Sequence, residues 1–479
     1  MVINSNLKHI WAKAQYAKKI YWVNNKKLAE KIFSAPARIL EAGIEATEGL
    51  AKAVDRRTGL NRAKTFWHNL GPGLTTGAAD DDPSGIATYS QAGSRFGLNF
   101  AWLSVFTFPF MSVVQEMCAR IGMVTGRGLA GNIRRHYPKG VLYACAALLF
   151  FANTFNIGAN LGAMAEATKL VAPNASFAWL VVGFALLSLS LQIFWPYARY
   201  AKYLKWLALI LLSYIVSAAM LNLDGLAVLK SAIVPQFSFG REQIFMICAI
   251  LGTTISPYLF FWQTSQEVEE EILAGRKTIK QRQVLTTPEE IKKMRVDVWF
   301  GMFFSNLVMF FIIVTCAAVL FNNGITNINS AAQAAQALKP FAGNYAFLLF
   351  TAGIIGTGLL AVPILAGSAS YALSEAFGFK QGLYRKLKQA TAFYGIIIIA
   401  MGLGLLLNFT GLDPIKALIY SAVINGLVAP LVLVLIVDMS SNRKIMGDLA
   451  NRTLGKTIGW VITAIMILVG VATLASLII

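Results

Sequence analysis

The chain has 479 residues, of which 56% are hydrophobic and only 14% charged, with a mean hydropathy of +0.59 and a net charge of +19. Apolar runs of 18 or more residues recur along it, which makes it a polytopic α-helical membrane protein. The charge would suit a nucleic-acid binder, but its distribution, given below, excludes that reading.

In chain order, residues 1–65 stand apart as a basic N-terminal region. Trp11, Tyr16, Tyr21 and Trp22 alternate there with Lys8, Lys13, Lys18, Lys19, Lys26 and Lys27, and residues 35–54 read as an amphipathic helix. Such a segment is expected to lie on the anionic lipids of the inner leaflet. It has no charged stub before a short apolar core, so no cleavable signal peptide is expected. From residue 66 to 479 the chain reads as a membrane transport domain. Eleven spans are expected, near 70–94, 98–122, 141–166, 176–195, 201–221, 242–264, 298–321, 346–372, 392–409, 416–437 and 457–478. The connections after spans two, four, six, eight and ten carry 22 Lys and Arg, whereas those on the other side carry six. The positive-inside rule places the basic side and the N-terminus in the cytoplasm and the C-terminus outside, as in a bacterial inner membrane.

Two spans are interrupted near their middles. Span one contains Asp80-Asp81-Asp82-Pro83-Ser84-Gly85, with Asp82 thirteen residues from both Asn69 and Arg95. A carboxylate at mid-membrane costs roughly 2.5–3.5 kcal/mol on insertion scales, so three in a row mark a site. Span six contains Thr253-Thr254-Ile255-Ser256-Pro257 at similar depth. Five spans separate the breaks, so the two helices run in opposite directions. Matched interruptions of this kind point to a site between inverted repeats. The expected architecture is two inverted five-helix repeats, about 66–222 and 240–437, plus one further helix at 457–478.

The donors expected at the breaks are hard oxygens. Asp82 is the principal candidate ligand, Asp81 and Asp80 supply charge or hold water, Thr253 offers a carbonyl and Ser256 a hydroxyl. Such a set suits Mg²⁺, Ca²⁺ or Mn²⁺ as a transported ion, with no resident cofactor.

These residues resemble the Nramp family of divalent-metal transporters, which implies a LeuT-type fold. The resemblance rests on Gly71-Pro72-Gly73, Asp82-Pro83, Ala87-Thr88, Ala92-Gly93 and Phe96-Gly97, on Gln115 through Gly126, and on Gly252 through Tyr258. The departures matter as much. Ser84 and Gly85 stand where the family has Gly and a metal-binding Asn. Ser256 stands for its metal-binding Met and Tyr258 for its His. Loss of the thioether and the smaller side chains imply an ion that keeps part of its water, as in the family's magnesium-transporting branch. Asn160 and Ala163 fall where proton-coupled members carry acidic residues, which implies transport without obligatory proton coupling. In span ten the family's Gln aligns with Ala422, and Asn425, one turn on, either faces the site or bonds between helices.

Other chemistry-bearing residues read as structural. Cys118, Cys145, Cys248 and Cys316 sit singly in apolar spans, and His9, His68 and His136 lie at or outside span edges. Glu116 is expected to pair with Arg120, Glu166 to be solvated, and the run Glu267, Glu269, Glu270, Glu271 to form a solvated acidic face. No nucleophile–base set or phosphate-binding loop appears, so an enzyme is disfavoured. The alternatives are a proton-coupled Mn²⁺/Fe²⁺ transporter and, further off, an amino-acid transporter, whose carboxylate substrate the Asp triplet would repel.

Overall fold

A computed structural model describes residues 71–195, 209–236 and 240–478. The basic N-terminal region, with His9 and His68, lies outside the described residues, as do Arg199, Lys202 and Lys205. The described chain is helical. Its principal elements are α1 (Pro72–Asp80), α2 (Pro83–Phe96), α3 (Ala101–Thr125), α4 (Leu129–His136), α5 (Lys139–Lys169), α6 (Phe177–Phe194), α7 (Ser213–Ala219), α8 (Gly225–Ile233), α9 (Arg241–Thr254), α10 (Pro257–Leu273), α11 (Ile279–Leu285), α12 (Pro288–Val319), α13 (Ala346–Phe377), α14 (Thr391–Leu407), α15 (Pro414–Ser441) and α16 (Thr453–Ile478). Eight helical stretches among the described residues are long and apolar enough to cross a membrane by length and composition. Ile210–Ala219 and Thr391–Leu407 are shorter apolar helices. The all-helical, LeuT-type class expected from the sequence is the one observed.

Both interruptions are present, and both are narrower than the motifs suggested. Only Asp81 and Asp82 separate α1 from α2, and only Ile255 and Ser256 separate α9 from α10. Ser84 and Gly85 lie in the first turn of α2 rather than in a break. The reason is proline: Pro83 and Pro257 each occupy a first helical position, where the missing N–H costs nothing and the fixed φ favours the turn. Proline here restarts a helix.

The broken helix α1–α2 lies along α12 on a seam without side chains. A Cβ on Gly73 would meet the Val298 backbone at 2.6–2.7 Å, and one on Gly77 or Gly301 would collide with backbone of the facing helix. The second broken helix does the same against α15, where Gly252 faces Ala422 and Gly426. In lipid, where apolar side chains gain nothing by association, small residues let backbones approach and make dispersion contacts. Asp297 of α12 fastens the start of α1, accepting from Gly73 N at 2.7 Å and Leu74 N at 3.3 Å. These contacts place α1, the Asp triplet and α12 in fixed register.

The seam is testable. Gly301→Val should destabilise the protein by about 1–3 kcal/mol or more, because the facing atoms are backbone and cannot rotate away. In detergent its thermal unfolding midpoint should fall, whereas Gly183→Val, with open space around it, should leave the midpoint unchanged.

Candidate functional site

The two breaks meet in the middle of the protein. Tyr258, in the first turn of α10, donates its hydroxyl to the Ala79 carbonyl near the end of α1 at 3.1 Å. Gly85 faces Thr253: a Cβ at Gly85 would lie 3.3 Å from Thr253 Oγ1 and 3.1 Å from the Asp80 carbonyl. Asp80, Asp82 and Ser256 have no exposed surface, and Asp81 and Thr253 almost none.

Asp82 is the cap of α2. Its Oδ1 accepts from Gly85 N at 2.9 Å and Ser84 Oγ at 2.5 Å. Its Oδ2 accepts from Asn160 Nδ2 at 3.0 Å and Asn156 Nδ2 at 3.4 Å, both on α5. Asn156 Oδ1 in turn accepts from Ser421 Oγ of α15 at 3.1 Å. Asn153 does not join them, and instead donates to Leu365 O and Ser368 Oγ of α13.

Asp80 and Asp81 face elsewhere. Asp80 Oδ2 takes the Ser305 hydroxyl of α12 at 2.5 Å, Asp81 Oδ1 lies 3.3 Å from that same hydroxyl, and Asp80 Oδ1 is buried with no partner. The triplet therefore divides: Asp82 toward α5, Asp80 and Asp81 toward α12. Among the described residues no three His, Cys, Asp or Glu side chains converge as a ready ligand set. Among the described residues no ion pair joins any of the three aspartates to a basic side chain.

At the second break a single hydroxyl is shared between two of the freed carbonyls. Ser256 Oγ lies 2.6 Å from Gly252 O and 2.8 Å from Thr253 O and donates back to the end of α9. Its oxygen can still accept or ligate. Asn425 is fully buried, and among the described residues neither its amide nitrogen nor its oxygen has a partner; Asn160 Oδ1 is likewise unpartnered there.

A polar run leads from this centre to one end of the molecule. Thr76, one turn before Asp80, is hydrogen-bonded to Gln263 Oε1 at 2.5 Å, and Gln263 Nε2 donates to Glu267 Oε1 at 2.8 Å. Glu267 opens into a cavity of about 260 Å³ whose lining includes Glu270, Glu271, Glu290 and Asp297. A cavity of about 400 Å³ at the opposite end is lined in part by Gln91, Arg95 and Glu242. Neither lining includes Asp80, Asp81 or Asp82, so the centre is closed from both ends.

The acidic run of α10 differs from the solvated face expected. Glu267, Glu269 and Glu271 are buried and only Glu270 is exposed. Each buried carboxylate has polar partners: Gln263, one turn earlier on the same helix, for Glu267, Tyr371 and the Leu383 and Tyr384 amides for Glu269, and Arg276 and Thr286 for Glu271. Glu116 does pair with Arg120, at 3.5 Å, and also with Arg295 at 2.9 Å and Trp299 at 3.0 Å. Glu166 pairs with Lys169 at 3.6 Å. All four cysteines are buried and unpaired.

Sequence reasoning missed Ser305, Ser421, Thr76 and Gln263. Each is one small polar group inside an apolar helix, a signal shared with many structural hydroxyls and amides.

Comparison with known proteins gives three consistent findings. The sequence pattern of the family described as Nramp, natural resistance-associated macrophage protein-like, matches residues 73–476. A divalent metal cation transporter, MntH, of Klebsiella pneumoniae is 27% identical over 413 residues, covering 83% of this chain and 91% of that protein. The structure of a manganese transporter of Eremococcus coleocola, in complex with an aromatic bis-isothiourea compound, superposes with a TM-score of 0.68 at 18% identity. It covers 88% of this chain and 89% of that one, a likeness of fold.

The tether between the breaks can be measured. Tyr258→Phe leaves the Ala79 carbonyl without its partner in a buried place, which should cost about 1–3 kcal/mol. A lowered thermal midpoint with unchanged far-UV circular dichroism is the expected result.

Proposed function

We propose that this chain, which belongs to the Nramp family, carries hard divalent cations across a membrane, Mg²⁺ foremost and Mn²⁺ as a similar ion, without obligatory proton coupling. The observation that carries the reading is the buried aspartate triplet with no basic partner. Three carboxyl groups placed at the meeting point of two interrupted helices, with Asp80 Oδ1 and both polar atoms of Asn425 unpartnered, make a centre that a cation completes. The relatives named above carry divalent metals, and the fold agrees with that activity.

In this reading Asp82 binds the ion, Asp80 and Asp81 add negative potential and water-mediated contacts, and Thr253, Ser256 and Asn425 offer oxygen. Gly85 lets the first turn of α2 approach the Asp80 carbonyl and Thr253 Oγ1 more closely than a side chain would allow. All these donors are oxygen, which suits Mg²⁺ and Mn²⁺ over softer ions. The run Thr76–Gln263–Glu267 is the route between the centre and the acidic cavity. The Lys- and Arg-rich side is cytoplasmic, so that route opens inward.

Uncoupled movement rests on α5. The groups it presents to Asp82 are the amides of Asn156 and Asn160, which do not titrate in the physiological range. Membrane potential alone supplies about 2.3 kcal/mol per charge per 100 mV, hence about 4.6 for a divalent ion.

Asp82→Ala should abolish divalent-cation uptake by reconstituted protein while the chain still folds, as read by size-exclusion and thermal melting. Wild-type uptake by a folded mutant would remove Asp82 from the mechanism.

Selectivity and coupling are read in one liposome assay. Under an inside-negative potassium-diffusion potential, Mg²⁺ and Mn²⁺ should enter without acidification reported by an internal pH dye. Ser256→Met should shift preference toward softer metals, because a thioether replaces a hydroxyl. Stoichiometric acidification accompanying metal influx would overturn the uncoupled reading and leave the transport reading intact.

A further inference from the structure

A third cavity, of about 500 Å³, takes no part in the route just described. It lies between the Gly126–Gly128 turn, α4, α10, α11 and the segment from Tyr371 at the end of α13 to Arg385. Six cations line it: Arg127, Arg134, Arg135, Arg282, Lys380 and Arg385. Two carboxylates, Glu269 and Glu375, face them.

The carboxylates have local partners. Glu269 accepts from Leu383 N at 2.6 Å and from Tyr384 N at 3.2 Å. Glu375 accepts from Gly131 N at 2.7 Å and Gln381 Nε2 at 2.6 Å. Three of the arginines are also committed to the fold, Arg134 through a bond to the Glu375 carbonyl at 3.3 Å. Arg282 donates to the carbonyls of Gly126, Arg276 and Lys277, and Arg385 donates to Gln381 O and lies over the Tyr384 ring.

Arg127 and its neighbours are different. Arg127 Nε is enclosed and has no hydrogen-bond partner among the described residues. Among the described residues no ion pair holds Arg127, Arg135 or Lys380. Burial and the guanidinium groups of Arg135 and Arg134 lower Arg127 from its ordinary pKa, against a smaller opposing pull from Glu375. Burial, Arg135 and Arg127 together lower His136 as well. Loop charge that serves only to set topology would be scattered and solvated. Here it is gathered about one concavity, with Arg127 Nε unpartnered among the described residues.

We infer that this cavity binds a phosphate-bearing anion. Arg127 and Arg135 present guanidinium forks of the kind that grip phosphate oxygens bidentately, and Lys380 adds a point charge at the lip. The phosphate can be the headgroup of an anionic lipid or a soluble polyphosphate. The inference does not depend on which ion the central site carries.

The test uses the full-length protein in neutral detergent, free of divalent ions and at low salt. Inorganic pyrophosphate is titrated by calorimetry for the soluble source. For the lipid source, thermal midpoints are compared in nanodiscs of phosphatidylcholine alone and of phosphatidylcholine mixed with phosphatidylglycerol. Saturable binding of pyrophosphate, or a higher midpoint with phosphatidylglycerol, is expected. Arg127→Gln with Arg135→Gln should weaken the effect by ~tenfold or more, the scale of one lost charge-assisted bond. Arg443→Gln with Lys444→Gln, away from the cavity, should preserve it. Should the double variant fail to fold, Arg135→Gln and Lys380→Gln, both at exposed positions, serve singly, and each should weaken binding. Absence of any effect from either source overturns the inference. So does binding that survives the cavity substitutions, or that falls equally with the distant pair.

Discussion

The hydrocarbon interior of a bilayer offers no water to an interrupted helix. Every N–H and C=O released by a break at that depth must find its partner within the protein. The two breaks meet this demand with groups beside them and across from them. Asp82 caps the start of α2, Ser256 turns back onto the last carbonyls of α9, and Tyr258 reaches across to Ala79 at the end of α1. The glycine seams against α12 and α15 let each broken helix lie backbone to backbone with its neighbour.

The split of the aspartate triplet follows from that geometry. Asp80 is the last residue of α1 and Asp82 the cap of α2, with Asp81 at φ −82°, ψ 47° between them. Three residues adjacent in sequence thus belong to two helix ends. A helix end orients its own residues, so Asp80 follows α1 onto Ser305 while Asp82 follows α2 onto the α5 asparagines. Charge is concentrated at one place, and the side chains still answer to two neighbours that lie on different helices.

What was legible in the sequence was whatever violates the rules of a membrane helix. Charged residues and Pro at mid-span gave both breaks, and the run of apolar stretches gave the helical class. The width of the breaks was overestimated because Pro83 and Gly85 read as breakers when they are residues of a first turn. The partners were not legible. Ser305 lies 225 residues from Asp80 and Gln263 lies 187 from Thr76, and no local pattern relates positions so far apart. The acidic run of α10 misled for a related reason: apart from Gln263 on the same helix, its partners come from α13 and the segment after it and from the segments on either side of α11, and only the assembled helices reveal that three of its four carboxylates are interior. Asn156 and Asn160 fell between these cases. Asn160 is marked only by standing where coupled relatives carry an acid, and the fold supplies what it and Asn156 address.

One consequence concerns the way Asp82 is used. A carboxylate has about four lone-pair sites, two on each oxygen. In the closed structure each oxygen already receives two donors: Ser84 and Gly85 on one side, Asn156 and Asn160 on the other. Such a group is fully subscribed. A cation arriving there does not add a contact to a vacant ligand but enters a substitution, in which a hydroxyl, an amide or the first turn of α2 must yield its place. The same oxygen atoms hold the helix and receive the cargo, so occupancy and the integrity of that helix end are joined by stoichiometry alone. A metal that gripped all four positions would unfasten the helix start it landed on, and one that shared them through its own water would leave the fastening in place.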